Sequence, residues 1–438
     1  MTVANTFHCA KASGPLRGEL CVPGDKSVSH RAVMLAALAD GVSRIDGFLE
    51  GEDTLATARA FASMGVRIEQ PESCVRIVHG VGMRGLQAPM GALDCGNAGT
   101  GMRLLCGLMA AQSFDVTLVG DESLSKRPML RVVSPLREMG ADIETAEGGC
   151  PPLRIHGGAR LRGISYSLPV ASAQVKSALL LAGLYADGET VVHEPHPTRD
   201  YTESMLSAFG VQVEYQPGIA RLVGGQLLRA TNLQVPADFS SAAFFIAAAC
   251  IVPGSDLILR DVGVNPRRTG LLQALRLMGA DICLSETRVN GGEPVADIRV
   301  RAARMRGADI PEYLVPDMID EFPALFAVAA VAEGVTRVTG AAELRVKESD
   351  RLAAMANGLH AAGIRVDETA DGAQIHGGVL RSARIQSHGD HRISMAFAIA
   401  AQAADGELKI EDCANVGTSF PGFDRLATAC GMQLRTAD

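Results

Sequence analysis

The stretch FASMGVRIE (61–69) carries the repeating logic of the chain: a helical run, then Gly65, then an alternating strand. Glycine just past a last helical turn supplies the left-handed conformation that ends a helix, and the residues after it follow the period of two of a half-buried strand. The phrase returns as LREMGADIE (136–144), LSAFGVQVE (206–214), LRLMGADIC (275–283), LHAAGIRVD (359–367) and TACGMQLR (428–435). Its glycines, 65, 140, 210, 279, 363 and 431, are spaced by 68 to 84 residues. A fixed period of this size marks a repeated supersecondary unit.

A second phrase interleaves with the first: an Ala-rich helix, a Gly turn and a strand. It reads LAALADGVSRIDG (35–47), LLLAGLYADGETVVHE (179–194), FIAAACIVPGSDLILRD (245–261), FAVAAVAEGVTRVTG (326–340) and AIAAQAADGELKIED (398–412), with CGLMAAQSFDVTLVG (106–120) as a copy without the Gly. Each unit thus holds two helices and several strands, and six units fill the chain. Alternating helices and strands give an α/β class. The Ala-rich helices are apolar nearly all round, so they belong inside each domain with sheets around them. No G-x-G-x-x-G follows a strand, which removes the dinucleotide-binding signature.

At 438 residues the chain is long enough for two domains. Its longest apolar run, 242–252, is too short to span a bilayer, and the N-terminus has no basic cluster followed by an apolar stretch, so a cytoplasmic location without membrane attachment is expected. A net charge of −8, no Trp and 4% aromatic residues argue against a nucleic-acid partner. Ten cysteines without a C-x-x-C pair read as ordinary thiols, most of them buried, rather than a disulfide or zinc framework.

Function is legible at the starts of the apolar helices: PGDKSVSHRAVMLAAL (23–38), CGNAGTGMRLLCGLM (95–109), PVASAQVKSALLLAG (169–183), PADFSSAAFFIAAA (236–249), MIDEFPALFAVAA (318–330) and SHGDHRISMAFAIAA (387–401). Every one offers Ser, Asn, Asp or Gly as a cap, and a helix start attracts phosphate or carboxylate. Lys26, Arg31, Arg103, Arg127, Lys347, Arg351 and Arg392 add cations at or near them. Two facing domains would then form an anion-attracting cleft. Lys347 and Arg351, four apart, would share a helix face or form a solvated charged patch. Asp320 is expected to begin a helix, and Asp320, Glu348 and Asp390 are carboxylates suited to accept protons when held among cations. HGDH (388–391) lacks companion ligands, so a structural or acid–base histidine is favoured over a metal site.

In order, PGDKSVSHR, GNAGTGMR, KRP, SAQVKSALLLAG, TRDY, MIDE, LRVKESDR and GDHR resemble the 5-enolpyruvylshikimate-3-phosphate synthase family across nearly the whole chain. The resemblance implies a two-domain enolpyruvyl transferase fold, each domain built of three βαβαββ units. One domain would comprise 1–23 plus 238–438 and an inserted one 24–237, with crossings at the Val-Pro turns VPGD (22–25) and VPAD (235–238). It implies transfer of the enolpyruvyl group of phosphoenolpyruvate to the 5-hydroxyl of shikimate 3-phosphate, releasing phosphate through a tetrahedral intermediate, with no metal or organic cofactor and as a monomer. By the same resemblance Lys26, Gly99 (by backbone), Arg127, Gln174, Arg351 and Arg392 hold phosphoenolpyruvate. Lys26, Ser27, Arg31, Ser172, Ala173 (by backbone), Gln174, Arg199, Asp320 and Lys347 hold shikimate 3-phosphate. Asp320 and Glu348 transfer protons, supported by Lys26 and His391.

Three positions depart from the family pattern. Thr418 stands where many members have Lys, Leu104 where some have Pro, and Ala173 where some have a second Ser. Glyphosate, which occupies the phosphoenolpyruvate pocket of the family, would find room beside the side-chain-free Gly99. Two other readings are compatible with the repeats: a UDP-N-acetylglucosamine enolpyruvyl transferase, which carries a Cys in the loop that here reads GDESLSKRPM, and a noncatalytic repeat scaffold, which has no use for the clustered charges.

Overall fold

The structure, a computed structural model, describes residues 5–437. The chain forms two compact units, one of residues 1–23, 237–288 and 294–438, the other of 24–236 and 289–293. The second crossing thus lies one residue before the position expected from VPAD. Residues 289–293, expected with the C-terminal half, group instead with the inserted unit. There the hairpin joining strands Asp281–Asn290 and Glu293–Arg301 turns at Gly291 and Gly292, both at positive φ, and Glu293 is buried, accepting a hydrogen bond from Ser204.

The inserted unit contains helices α1 (Lys26–Leu38), α2 (Glu52–Ser63), α3 (Gly99–Met109), α4 (Leu130–Glu138), α5 (Ala173–Gly183) and α6 (Tyr201–Ala208). The other contains α7 (Phe239–Ile251), α8 (Gly270–Leu277), α9 (Val315–Met318), α10 (Phe322–Ala329), α11 (Arg351–Ala361), α12 (His391–Ala400), α13 (Val416–Ser419) and α14 (Phe423–Ala429). The Ala-rich segments are α1, α3 and α5 in one unit and α7, α10 and α12 in the other, and they are buried nearly all round. Small side chains let these helices approach one another closely, and each unit closes its own hydrophobic core around its three. Full burial of each larger apolar side chain contributes about 1.5–3 kcal/mol, so the Leu, Ile and Phe positions dominate that core.

The outer helices α2, α4, α6, α8, α11 and α14 end at the six repeated glycines, whose φ values run from +86° to +105°. At each the same pair of bonds satisfies the last helical carbonyls: Gly65 N–H to Ala62 O and Val66 N–H to Phe61 O at the first copy, Gly431 N–H to Thr428 O and Met432 N–H to Ala427 O at the last. A side chain in this backbone region costs roughly 1–2 kcal/mol, which explains why glycine recurs there.

Among the described residues six small sheets accompany the helices, five of four strands and one of three. A representative one runs Leu93–Asp94, parallel to Val116–Val119, which is antiparallel to Leu153–His156, itself antiparallel to Asp142–Thr145. Three further sheets repeat that order of one parallel and two antiparallel pairings. In the three-stranded sheet an isolated parallel bridge, Asp309 to Arg337, occupies the place of the missing edge strand. Six thiols are buried, whereas Cys21, Cys74 and Cys283 are exposed and Cys150 is intermediate, and among the described residues no disulfide is formed.

Candidate active site

Side-chain caps hold four of the six inner helix starts. Asp25 accepts from Val28 N–H, Ser172 from Val175 N–H, Asp238 from Ser240 N–H and Asp390 from Arg392 N–H. The expectation of a capping residue at every start is corrected at two. The cap of α3 is Ala98, which has no acceptor, and that of α10 is Glu321, whose carboxylate is turned elsewhere. Asp320 therefore does not begin a helix; it lies in the turn between α9 and α10.

In the inserted unit, Lys26 at the first position of α1 pairs with the buried Asp53 of α2. Arg31, one turn on from Ser27, is buried. Its guanidinium donates to Thr202 Oγ1 at 2.7 Å, Ser177 Oγ at 2.8 Å and Ser27 O at 3.0 Å. Burial lowers its pKa to about 10, partly offset by Glu203, so the group stays charged at neutral pH. Gln174, in the first turn of α5 after Ser172 and Ala173, accepts from Arg103 at 2.6 Å and donates to Thr100 Oγ1 at 2.7 Å. Arg127 donates to Asn97 Oδ1 at 2.6 Å and Ser123 Oγ at 3.2 Å, both neutral. Gly99 opens α3, and its N–H is directed to Asn97 O at 2.8 Å, a partner that its expected ligand contact would have to share. Arg199 is half-buried in the loop before α6.

The other unit gathers a denser set. Lys347 and Arg351 each approach Asp320 Oδ1 at 3.4 Å, and Arg268 approaches its other oxygen at 3.5 Å. Lys347 precedes α11 while Arg351 is its first residue, so the expected shared helix face is corrected: the two cations converge from loop and helix onto one carboxylate. Arg351 also binds Asp390 at 2.8 Å and Glu348 at 2.5 Å. Its burial disfavours the charged form, but Asp390, Glu348 and Asp320 outweigh that and raise its pKa. Burial likewise pushes Asp390 up, and Arg351 more than reverses it, leaving the carboxyl below its usual range. Arg392 donates to Asp320 O at 2.8 Å and stands 3.7 Å from Glu321; His391 is the buried first residue of α12. Thr418 of α13 donates to Asn415 O at 2.6 Å and supplies no charge.

The structure thus brings Lys26, Ser27, Arg31, Gly99, Arg127, Ser172, Ala173, Gln174 and Arg199 into one unit, and Asp320, Lys347, Glu348, Arg351, His391 and Arg392 into the other. Sequence reasoning missed Asn97 and Ser123, which aim Arg127, and Arg268, which supports Asp320. Asn97 lies inside the GNAGT motif and was within reach; Arg268 sits in NPRRTG, a segment with no periodicity or motif to single it out. Among the described residues no three His, Cys, Asp or Glu side chains are grouped to hold a metal ion, and no helix is long and apolar enough to cross a membrane.

Cations, amide donors and carboxylates, set at or beside helix starts of a twofold set of three α/β repeats, suit a group-transfer enzyme for small anionic substrates. A sequence model of the family described as EPSP synthase (3-phosphoshikimate 1-carboxyvinyltransferase) matches residues 10–426. A 3-phosphoshikimate 1-carboxyvinyltransferase of Xanthomonas oryzae pv. oryzae is 69% identical over 436 residues, covering 99% of both chains, and one of Xanthomonas campestris pv. campestris is 70% identical over 434, with the same coverage. A solved EPSP synthase of Acinetobacter baumannii is similar with a TM-score of 0.90 and 51% identity, covering 99% of this chain and all of that one. The chain belongs to the EPSP synthase family.

Proposed function

We propose a division of labour among these residues in the reaction of the family. The chain is a 3-phosphoshikimate 1-carboxyvinyltransferase: it moves the enolpyruvyl group of phosphoenolpyruvate onto the 5-hydroxyl of shikimate 3-phosphate and releases phosphate. Ser27, Arg31, Ser172, Ala173, Gln174, Arg199 and Lys347 grip shikimate 3-phosphate, with Lys26 and Asp320. Lys26, Gly99, Arg127, Gln174, Arg351 and Arg392 grip phosphoenolpyruvate. Asp320 takes the 5-hydroxyl proton as its oxygen bonds to C2 of the enolpyruvyl group, while a proton is delivered to the methylene carbon, with Glu348, Lys26 and His391 serving proton movement. The tetrahedral intermediate then gives a methyl proton back to the group that supplied it as its C2–O bond to phosphate breaks, and the proton held by Asp320 leaves with the phosphate. Proton transfer, positioning and charge stabilisation account for every step. The substrates are soluble anions, and the enzyme works as a cytoplasmic monomer independent of nucleic acid and membrane.

The observation that carries this reading is the environment of Asp320. Two cations at 3.4 Å and one at 3.5 Å converge on its carboxylate, each attraction being on the order of 4 kcal/mol at an effective dielectric of about 20. Asp320→Asn keeps the shape and removes the base. In a phosphate-release assay with both substrates, its kcat should fall by about 10²–10⁴-fold while the KM for phosphoenolpyruvate changes little. A variant of unaltered kcat would take Asp320 out of the chemistry.

A further inference from the structure

Three charged side chains outside the assigned set lie buried together in the inserted unit. Lys176 Nζ stands 3.0 Å from Glu194 Oε2 and 2.8 Å from Glu203 Oε1, with side chains 3%, 2% and 1% exposed. Burying such a group is expensive, and apolar replacements are often neutral or stabilising, so stability alone does not explain it. Its place in the chain does. Lys176 lies in the first turn of α5, directly after Ser172, Ala173 and Gln174. Glu194 is the first residue after the strand Glu189–His193, and Glu203 sits in the first turn of α6. The two carboxylates therefore bracket residues 195–202, the loop that carries Arg199 together with the first two residues of α6.

Further bonds tie the same parts together. Glu194 also accepts from the Thr198 N–H at 3.3 Å and from the Thr198 hydroxyl, one residue before Arg199. Thr202 Oγ1 donates to Ser177 Oγ at 2.7 Å, joining the loop's far end to α5 a second time. Burial raises the pKa of Glu203 against the pull of Lys176, and the two carboxylates hold Lys176 in its charged form despite its own burial.

We propose that Lys176, Glu194 and Glu203 are positioning residues for the shikimate 3-phosphate grip: one ammonium cinches both ends of the Arg199 loop to the helix whose start carries Ser172, Ala173 and Gln174. This deepens the site reading above and rests on it. Ordering the loop before the substrate arrives spares the binding step the cost of fixing it, so the triad acts on affinity for one substrate rather than on the chemical step.

The test is steady-state kinetics on the full-length enzyme with each substrate varied in turn, alongside thermal unfolding. Glu194→Gln keeps the volume and weakens both the Lys176 and Thr198 bonds. It should raise the KM for shikimate 3-phosphate about tenfold and leave kcat and the KM for phosphoenolpyruvate within about twofold. Lys176→Met should do the same, and Lys176→Arg, which restores a cation, should recover part of the loss. Arg199→Ala is the reference. If it raises that KM while Glu194→Gln and Lys176→Met leave it unchanged, the positioning role is refuted and the site reading stands. If Arg199→Ala itself leaves that KM unchanged, the site reading fails and the inference with it. A lowered unfolding temperature accompanied by equal loss in kcat and in both KM values would show a purely structural triad and also overturn the proposal.

Discussion

Replacing Arg268 by Met isolates the electrostatic support of Asp320. The guanidinium is buried, 3.3 Å from Asp238, 3.5 Å from Asp320 and 4.0 Å from Glu321, and it donates to Ser240 Oγ at 2.5 Å. Methionine fills much of the same space without charge, so three carboxylates lose a common partner. Breaking a buried ionic group from one side costs about 3–5 kcal/mol, because the remaining charges stay buried. In a unit of this size that lowers the unfolding temperature by roughly 6–20 °C. The second effect is on chemistry. A nearby cation favours the ionised carboxylate, so its removal raises the pKa of Asp320, and the acid limb of the kcat profile moves toward higher pH. With Lys347 and Arg351 still in place, the limb is displaced rather than lost. Phosphate release measured across pH, with unfolding followed on the same samples, reads both effects. Arg268→Lys should fall between wild type and Arg268→Met. An unmoved acid limb in a folded Arg268→Met enzyme would refute the view that Arg268 sets the ionisation of Asp320.

Three other perturbations address separate parts of the structure. A Cβ at Gly99 would lie 3.1 Å from Arg127 Nη1 and 3.2 Å from Arg103 Nη1, so Gly99→Ala should displace Arg127 and raise the KM for phosphoenolpyruvate about tenfold, with weaker inhibition by glyphosate; equal inhibition of both enzymes would contradict the steric argument. Ser123→Asp places a carboxylate where a hydroxyl now meets Arg127 at 3.2 Å, and neutralising that guanidinium should raise the same KM by tenfold or more (about 1.4 kcal/mol), with little change for shikimate 3-phosphate. His156 is bonded to Glu144 and its pKa is raised, so its stabilising contribution is full below the ordinary histidine pKa and disappears as pH rises through the raised value; His156→Asn should therefore lose more stability in mild acid than at alkaline pH, as chemical denaturation at two pH values will show.

The sixfold repeat was legible because backbone chemistry wrote it into the sequence. A left-handed residue after a helix needs glycine, and buried inner helices need alanine, so Gly65 through Gly431 and the six Ala-rich runs mark the units without any tertiary information. The basic side chains of the site were legible through motif and position. Their partners were not. Nothing local distinguishes Arg268 from its neighbour Arg267, which pairs with Asp317 instead, since the choice is made by packing of segments some fifty residues apart. The placement of Asp320 in a turn escaped for a similar reason: Pro323 suits the first turn of α10 and admits a helix start on either side of MIDE.

Counting cations in the sequence also misjudges how they act, because most of them are compensated. Arg351 is bound to Asp390 and Glu348, Lys26 to Asp53, and Arg392 stands beside Glu321. A guanidinium already facing a carboxylate offers an incoming phosphate only a fraction of its attraction, but it couples the proton affinity of that carboxylate to whatever charge arrives next. Arg127 is different: its acceptors are the neutral Asn97 and Ser123, and among the described residues it makes no ion pair. Its charge is therefore undiminished beside the start of α3, where Ala98 provides no capping side chain. In a chain of net charge −8, the roles proposed above then give anion capture to the neutrally seated Arg31 and Arg127 of one unit and proton movement to the compensated clusters of the other. On the roles proposed above, substrate charge and proton transfer are linked through Asp320, because the cations that converge on it are among those assigned to the substrates. On that reading, either anion draws on the same ammonium and guanidinium groups and loosens their hold on the carboxylate, which favours proton acceptance once the reactants are in place.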